Sequence, residues 1–175
     1  MEPEPQTPKS SSESRVALSM LINPEHANPL GNTHGGVIMK AVDEAGGLAA
    51  MRHARAPVVT VAIDSMTFDK PIYVGSMVTL TAELTYTGRT SMEVRVTVEA
   101  ENPLTGERVH TNTAYLVYVA IDGQGRPRPV PPLRVETPEQ QLRFQQAQER
   151  QAERKERQKR EQALKQQHAE IEGEW

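Results

Sequence analysis

The chain contains no cysteine, which excludes a disulfide framework, a thiolate nucleophile and a zinc site built on cysteine. It also has no apolar run near the roughly 20 residues that a membrane span requires. The N-terminus is polar and acidic and lacks the apolar segment of a secretory signal. The net charge is only -3 over 175 residues, without a basic stripe, which argues against nucleic acid as the main partner. We therefore expect a cytoplasmic protein that binds neither a membrane nor nucleic acid.

The histidines do not form a metal-binding pattern. His26, His34 and His53 are scattered along the chain, and no pair has the H-x-x-x-H spacing of a helical zinc site. We expect neither a metal ion nor a bound cofactor.

Large apolar residues are concentrated in the middle of the chain, which predicts one domain over residues 14–126. Residues 1–13 consist mostly of Pro, Ser and Glu and are predicted to be disordered. The Pro-rich residues 127–138 are predicted to form a stiff connector that leads away from the core. Residues 139–175 form a charged, Gln/Glu/Arg-rich helical tail whose apolar residues are too sparse for a heptad seam. We favour a solvated helix that is dispensable beyond Thr137, with docking on a neighbouring subunit as the alternative.

Residues 28–47, NPLGNTHGGVIMKAVDEAGG, contain the main candidate site. They pass from an Asn-Pro turn through a glycine-containing loop into a helix predicted over residues 35–53. Asp43 and Glu44 lie about two turns inside this helix, among apolar residues. An unpaired buried carboxylate costs several kcal/mol, and adjacent residues of a helix point about 100° apart. One of the two acids therefore faces solvent, and the other needs a functional reason to face inward.

The loop before the helix also has features of a binding site. Gly35 and Gly36 allow a ligand to approach the backbone where the first helical N–H groups have no partner. Each feature has a simpler explanation too, because a glycine pair is often only a tight turn and His34 can be an ordinary loop residue. The combination of loop, helix N-terminus and inward carboxylate predicts an active site.

The rest of the domain has the alternating pattern of β-strands. A first strand is predicted over residues 15–22 and a bulged one over residues 58–69, and three further strands form a meander over residues 77–86, 91–101 and 108–121. In the first two strands of the meander the alternation places one set of apolar residues on the inner face: Val78, Leu80, Ala82, Leu84, Tyr86, Met92, Val94, Val96, Val98 and Ala100. It places Glu93 on the outer face. One long helix has to cover the whole sheet, so the sheet must curl around it in an α+β fold. An open sheet leaves edge strands that natural proteins cover or pair. Self-association through an edge is therefore expected.

Taken together, these segments resemble the hot-dog-fold acyl-CoA thioesterases, in particular the acyl-CoA hydrolase branch of brain-type cytosolic enzymes and their bacterial relatives. The resemblance covers residues 15–132 and is carried by Asn28 with Gly31, Gly35-Gly36, Asp43-Glu44-Ala45, VVTVAIDSMTFDKPIYVG, TGRTSMEVRV and YLVYVAID. It implies a hot-dog fold, with an antiparallel sheet of five or six strands wrapped around one long helix, followed here by the helical tail. It also implies hydrolysis of fatty acyl-CoA to a fatty acid and CoA.

The resemblance assigns the active-site asparagine to Asn28 and the active-site aspartate to Asp43. In the family these two residues of one site come from different subunits, which implies a homodimer with composite sites, further assembled as a trimer of dimers. His34 is a departure, because this branch often has an aromatic residue before the glycine pair. The departure affects the acyl-chain preference more than the reaction.

The residues fit this chemistry independently. Without cysteine, and with no nucleophile elbow around Ser65 or Ser91, Asp43 is the candidate general base or nucleophile. The amide of Asn28 and the N–H groups of Gly35 and Gly36 are candidates for polarising the thioester carbonyl.

The hairpin turn at Arg89, Thr90 and Ser91 offers a guanidinium, hydroxyls and backbone donors for the nucleotide end of CoA, unless it is an ordinary polar turn. Two other functions remain open. One is a hot-dog hydratase or dehydratase that uses His34 as base, and the other is a non-catalytic acyl-CoA-binding module.

Overall fold

The computed structural model describes residues 7–172, with side chains described up to residue 166. Its elements, in chain order, are β1 (Lys9–Ser10), α1 (Ser11–Ser14), β2 (Val16–Leu21), a 3-10 turn (Pro24–His26), α2 (Gly35–Ala54), β3 (Val58–Met66), β4 (Met77–Thr87), β5 (Ser91–Glu101), β6 (Arg108–Ala120), β7 (Leu133–Arg134) and α3 (Pro138–Glu172).

The main sheet has five antiparallel strands in the order β2-β4-β5-β6-β3. Its inner face packs on α2, as the sequence predicts for a sheet that wraps one long helix. The alternating positions of β4 and β5 point inward as predicted, from Val78 to Leu84 and from Met92 to Ala100. Tyr86 is an exception, because the register shifts after Leu84 and its ring contacts Phe144 of α3 instead.

The N-terminal segment corrects the prediction of disorder over residues 1–13. Residues 1–6 lie outside the described part of the chain, but β1 pairs in parallel with β7 and α1 follows directly. Ser10 caps α1 in a capping box with Glu13 and donates to Glu136 at 2.6 Å. The composition argument failed because polar hydrogen bonds, not apolar burial, order this segment.

The prediction that the Pro-rich connector leads away from the core is wrong. Val130 is buried in the core, and its N–H donates to the carbonyl oxygen of Arg89. The N–H of Leu133 donates to Thr87 Oγ1 at 2.8 Å. These contacts hold the connector along the domain, where β7 supplies the pairing partner of β1.

His53 joins the N-terminal segment, α2 and the connector. It is fully buried near the end of α2, with Nε2 2.9 Å from the carbonyl oxygen of Pro131 and Nδ1 3.3 Å from Ser14 Oγ. Because a carbonyl can only accept, Nε2 carries the proton of the neutral ring. Burial lowers the pKa of His53 from its ordinary value of 6.5, and nearby Lys9 lowers it further, while the hydrogen bond to Pro131 opposes the shift.

We predict that this histidine makes stability depend on pH. A folded-state pKa below 6.5 means that the unfolded chain binds the proton more readily, so the free energy of unfolding falls as pH drops below about 6.5. Urea unfolding at pH 7.5, 6.0 and 5.0 measures the slope, with His53→Gln as the control because a neutral amide can still donate to Pro131. Equal slopes in both proteins would show that other groups cause the dependence.

The tail helix corrects the prediction of a solvated tail. Helix α3 crosses the outer face of the sheet, and the side chains facing the sheet recur at steps of three and four: Arg143, Phe144, Ala147, Arg150, Gln151 and Arg154. Three of them are arginines that pair with acids of the outer face: Arg143 with Glu83, Arg150 with Glu93, and Arg154 with Asp64. From residue 158 to residue 166 the helix is exposed, so the prediction holds only there.

The tail helix buries and pairs Glu93, an acid of the outer face of the sheet. It points to the outer face, as predicted, yet it is 2% exposed because α3 covers it. Arg150 donates to both of its carboxylate oxygens, at 2.7 and 3.1 Å, and also lies over the ring of Tyr115. Thr85 donates to the same carboxylate at 2.7 Å. The tail therefore neutralises a buried charge at the centre of the outer face.

Candidate active site

Asn28 lies in the loop between β2 and α2, and its side chain organises that loop. Its Oδ1 accepts hydrogen bonds from the N–H groups of Leu30 and Asn32, at 2.9 and 3.2 Å. Gly31 completes the turn with φ of +79°, a conformation that side chains rarely adopt. Because both donors fix the oxygen, the amide Nδ2 is the atom that points away from the turn. Among the described residues it has no acceptor, so it can donate to a ligand.

The N-terminus of α2 is only partly available to a ligand. His34 caps the helix, and its Nδ1 accepts from the N–H of Gly36 at 3.0 Å. This contact corrects the prediction that both glycine N–H groups could hold a carbonyl oxygen. The N–H of Gly35 has no hydrogen-bond partner within residues 7–172 and remains the donor at the positive end of the helix.

Asp43 lies eight residues into α2, half-buried, with its carboxylate against the sheet. Thr60 of β3 donates to Oδ1 from its hydroxyl at 2.8 Å. Tyr118 of β6 donates from its hydroxyl to the same Oδ1 and to the Asp43 carbonyl oxygen, both at 3.1 Å. Burial raises the pKa of Tyr118, and the adjacent Asp43 raises it further, so this hydroxyl stays protonated. Asp43 is thus the carboxylate that faces inward.

Glu44 points to solvent, as the helical geometry predicts. Its side chain is 57% exposed and forms an ion pair with Lys40, one turn earlier, at 3.7 Å. Of the two adjacent acids, only Asp43 is held by other elements of the fold.

No hydrogen bond joins Asn28 to Asp43 in the part of the chain that the structure describes. Asp43 is eight residues beyond the first residue of α2, which corresponds to about 12 Å along the axis. Within one chain, the loop after Asn28 and about two turns of α2 therefore lie between the two predicted site residues.

Comparison with known proteins identifies the family. The Thioesterase superfamily model matches residues 30–107. The cytosolic acyl coenzyme A thioester hydrolase of Mus musculus is 34% identical over 152 residues, which are 86% of this chain and 39% of that protein. A solved hexameric acyl-CoA thioesterase is 40% identical and covers 86% of this chain and 97% of its own, with a TM-score of 0.83. The chain belongs to the thioesterase superfamily.

A second solved structure adds a ligand. The acyl-CoA hydrolase of Staphylococcus aureus, solved with butyryl coenzyme A, coenzyme A and coenzyme A disulfide, is 32% identical to this thioesterase-family chain. It covers 92% of this chain and 98% of its own, with a TM-score of 0.85. Alanine variants of that hydrolase at an aspartate, an asparagine and a threonine have also been solved. These likenesses confirm the hot-dog fold, although the chain spans about two fifths of the length of the mammalian relatives.

The predicted CoA-binding turn of this thioesterase-family chain lies at the level of Asp43. Ser91 is opposite Val119 in the β5–β6 register, and Val119 is opposite Val59, which precedes Thr60. The turn is thus two strands from β3, about 10 Å at the usual strand spacing. The carbonyl oxygens of Arg89 and Thr90 accept from the N–H groups of Val130 and Ala120, which fixes the turn against the connector and the end of β6.

The geometry around His34 does not support the hydratase alternative. It requires a histidine paired with a carboxylate, but His34 Nδ1 accepts from Gly36 and no described carboxylate contacts its ring. Among the described residues there is also no group of His, Asp and Glu that could hold a metal ion, and no helix long and apolar enough to cross a membrane.

Thr60 and Tyr118 are the site residues that sequence reasoning missed. Both lie in β-rich segments that the sequence singled out, but a threonine or a tyrosine is an ordinary strand residue. Only the register, which pairs Thr60 with Tyr118 across β3 and β6, brings both hydroxyls to Asp43.

Proposed function

We propose that this protein is an acyl-CoA thioesterase that hydrolyses fatty acyl-CoA to a free fatty acid and CoA. The observation that carries the proposal is the half-buried Asp43 carboxylate, held against the sheet by hydroxyl donors behind a glycine-containing loop. The likeness to a hydrolase solved with butyryl coenzyme A supports the substrate class. The name of the cytosolic relative supports a cytoplasmic location.

Asp43 acts as general base or as nucleophile. As a base, it takes a proton from water while the water oxygen attacks the thioester carbon, and the C–S bond then breaks. As a nucleophile, its oxygen attacks the same carbon, CoA leaves as thiolate, and water hydrolyses the resulting anhydride. In both cases the leaving thiolate takes up a proton and no cofactor is required.

The developing negative charge on the carbonyl oxygen needs donors. The amide Nδ2 of Asn28 and the N–H of Gly35 are the two that the loop leaves available. One such donor is worth about 10²–10³ in rate in other acyl-transfer sites. Arg89, Thr90 and Ser91 are proposed to hold the nucleotide end of CoA.

Thiol release tests the reaction directly. Purified protein is incubated with acyl-CoA of 4 to 16 carbons, and free CoA is followed with a thiol reagent. Release of CoA with a matching amount of fatty acid is the expected result. Loss of enoyl absorbance without thiol release would identify a hydratase, and acyl-CoA binding without turnover would identify a binding module.

We further propose that the active site is composite, formed by Asn28 of one subunit and Asp43 of another. The separation of the two residues within one subunit supports this arrangement. Strand β3 is an edge of the sheet and exposes Val59, Val61 and Ile63, while α2 exposes Met39, Leu48 and Met51. An apolar edge next to an apolar helix face favours pairing with a second copy of the chain. The solved hexameric relative supports further assembly as a trimer of dimers.

Complementation between inactive variants tests the composite site. Asn28→Ala and Asp43→Ala proteins are mixed under conditions that let subunits exchange. Each heterodimer then regains one intact site, so its activity is expected to approach half that of the wild-type dimer. Co-purification of two differently tagged wild-type proteins, mixed under the same conditions, is the control for exchange. A mixture as inactive as either parent, despite exchange, would place both residues of a site in one subunit.

A further inference from the structure

The two hydroxyl donors at Asp43 act on the same oxygen. Thr60 and Tyr118 are direct cross-strand partners of β3 and β6, and both donate to Oδ1. No residue that the structure describes donates to Oδ2. A carboxylate has acceptor positions on both oxygens, so donors on one side leave the lone pairs of the other free.

We propose that Tyr118 is a positioning residue that, together with Thr60, fixes Oδ1 of Asp43 and thereby assigns the reaction to Oδ2. The inference rests on the proposed thioesterase function and adds to it a residue and an atom. With Oδ1 held by two strands, the carboxylate cannot rotate about its last bond without losing both hydrogen bonds. Oδ2 then faces the water or the thioester in one fixed orientation.

The environment of Tyr118 suits this role. Its side chain is 1% exposed and its hydroxyl reaches no acceptor other than Asp43 among the described residues. Because burial and Asp43 raise its pKa, the hydroxyl remains a donor throughout the working range of an esterase. The charged residues nearest to Asp43 in sequence, Lys40 and Glu44, pair with each other on the solvent side of α2.

Helix α2 makes room for this tyrosine at a cost in helix propensity. Gly46 lies in the helix interior, where glycine is unfavourable relative to alanine. A Cβ atom at Gly46 would lie 3.1 Å from two ring carbons of Tyr118 and closer still to its hydroxyl. At Gly47 the nearest atom of the ring would be 3.7 Å away, an ordinary contact. Gly46 is therefore the position that admits the Tyr118 hydroxyl to Asp43.

Tyr118→Phe removes the hydroxyl and keeps the ring. We expect kcat to fall by about 10- to 100-fold, because a misplaced reacting group loses rate on that scale. KM should stay within about twofold, since the ring and not the hydroxyl packs in the core. Thr60→Val is expected to lower kcat in the same way, because it removes the other hydroxyl that holds Oδ1.

The glycines supply a matched pair of variants. Gly46→Ala should lower kcat as Tyr118→Phe does, whereas Gly47→Ala should behave like wild type. In a Tyr118→Phe background, Gly46→Ala should cause little further loss of kcat, because the hydrogen bond from the Tyr118 hydroxyl to Asp43 is already absent. Thermal unfolding of each variant reports on the fold separately.

The outcomes separate this inference from the proposed function. A wild-type protein that releases no thiol contradicts both. An active wild type with Tyr118→Phe unchanged in kcat would overturn the positioning role alone. The same conclusion would follow if Gly46→Ala and Gly47→Ala had equal activity. A loss of activity that comes from a higher KM, with kcat unchanged, would reduce Tyr118 to a packing residue and overturn the assignment of Oδ2.

Discussion

Replacing Asp43 by asparagine is expected to lower turnover at least about 100-fold, the usual scale for a lost general base, while the fold and the assembly persist. Asparagine has the same shape, and its Oδ1 can still accept from Thr60 and Tyr118. The amide then occupies the Oδ2 position, where it can donate but can neither take a proton nor attack. The measurement is kcat by thiol release, with thermal unfolding and size exclusion as checks on structure.

The adjacent acid supplies the control. Glu44→Gln is expected to leave kcat within about twofold of wild type, because Glu44 is exposed and its ion pair with Lys40 is of the surface type. Both variants remove one negative charge from neighbouring positions of the same helix, so a general effect of charge would appear in both. A loss confined to Glu44→Gln would mean that the inward carboxylate is not the reactive one.

The candidate site could be picked out from the sequence alone because the physical constraints there are local. An acid inside an apolar helix, next to glycines, is detectable from spacing, and Asp43 lies where that pattern predicts. The alternation along β4 and β5 similarly predicted which side chains point inward. Helix α2 begins at Gly35, where the glycine pair predicted its start, and ends within one residue of the predicted end.

Contacts between distant residues could not be predicted in this way. The hydroxyl of Tyr118 reaches Asp43 only because two strands pair in one particular register, and composition does not encode register. The loss of the Gly36 N–H to His34 Nδ1 depends on one side-chain rotamer at the start of α2. The prediction for the tail was wrong for a related reason. Arg143 also pairs with Glu139 one helical turn away, so the charges of the tail alone indicate a solvated helix, and the pairing of Arg143 with Glu83 of the sheet is not visible from local spacing.

The second large effect concerns that tail. Arg150→Met is expected to lower the free energy of unfolding by about 3–5 kcal/mol, the cost of breaking a buried ion pair by removing one partner. Glu93 stays covered by α3 in this variant, and Thr85 is the remaining donor to its carboxylate among the described residues. Urea unfolding of the full-length protein measures the loss. A change of less than about 1 kcal/mol, the range of exposed pairs, would mean that water reaches Glu93.

A double variant tests the Glu93–Arg150 pair, and two truncated proteins separate the covered part of α3 from its exposed end. Adding Glu93→Gln to Arg150→Met removes the unpaired charge, keeps an acceptor for Thr85, and should recover most of the lost stability. Among the residues whose side chains are described, truncation after Gln158 removes only exposed ones and their exposed ion pairs, so the free energy of unfolding should change by no more than about 0.5 kcal/mol. Truncation after Thr137 also removes Arg150 and Phe144 and uncovers the outer face of the sheet, so it should destabilise the fold far more. Equal stability of the two truncated proteins would restore the view of the tail as a solvated, dispensable helix.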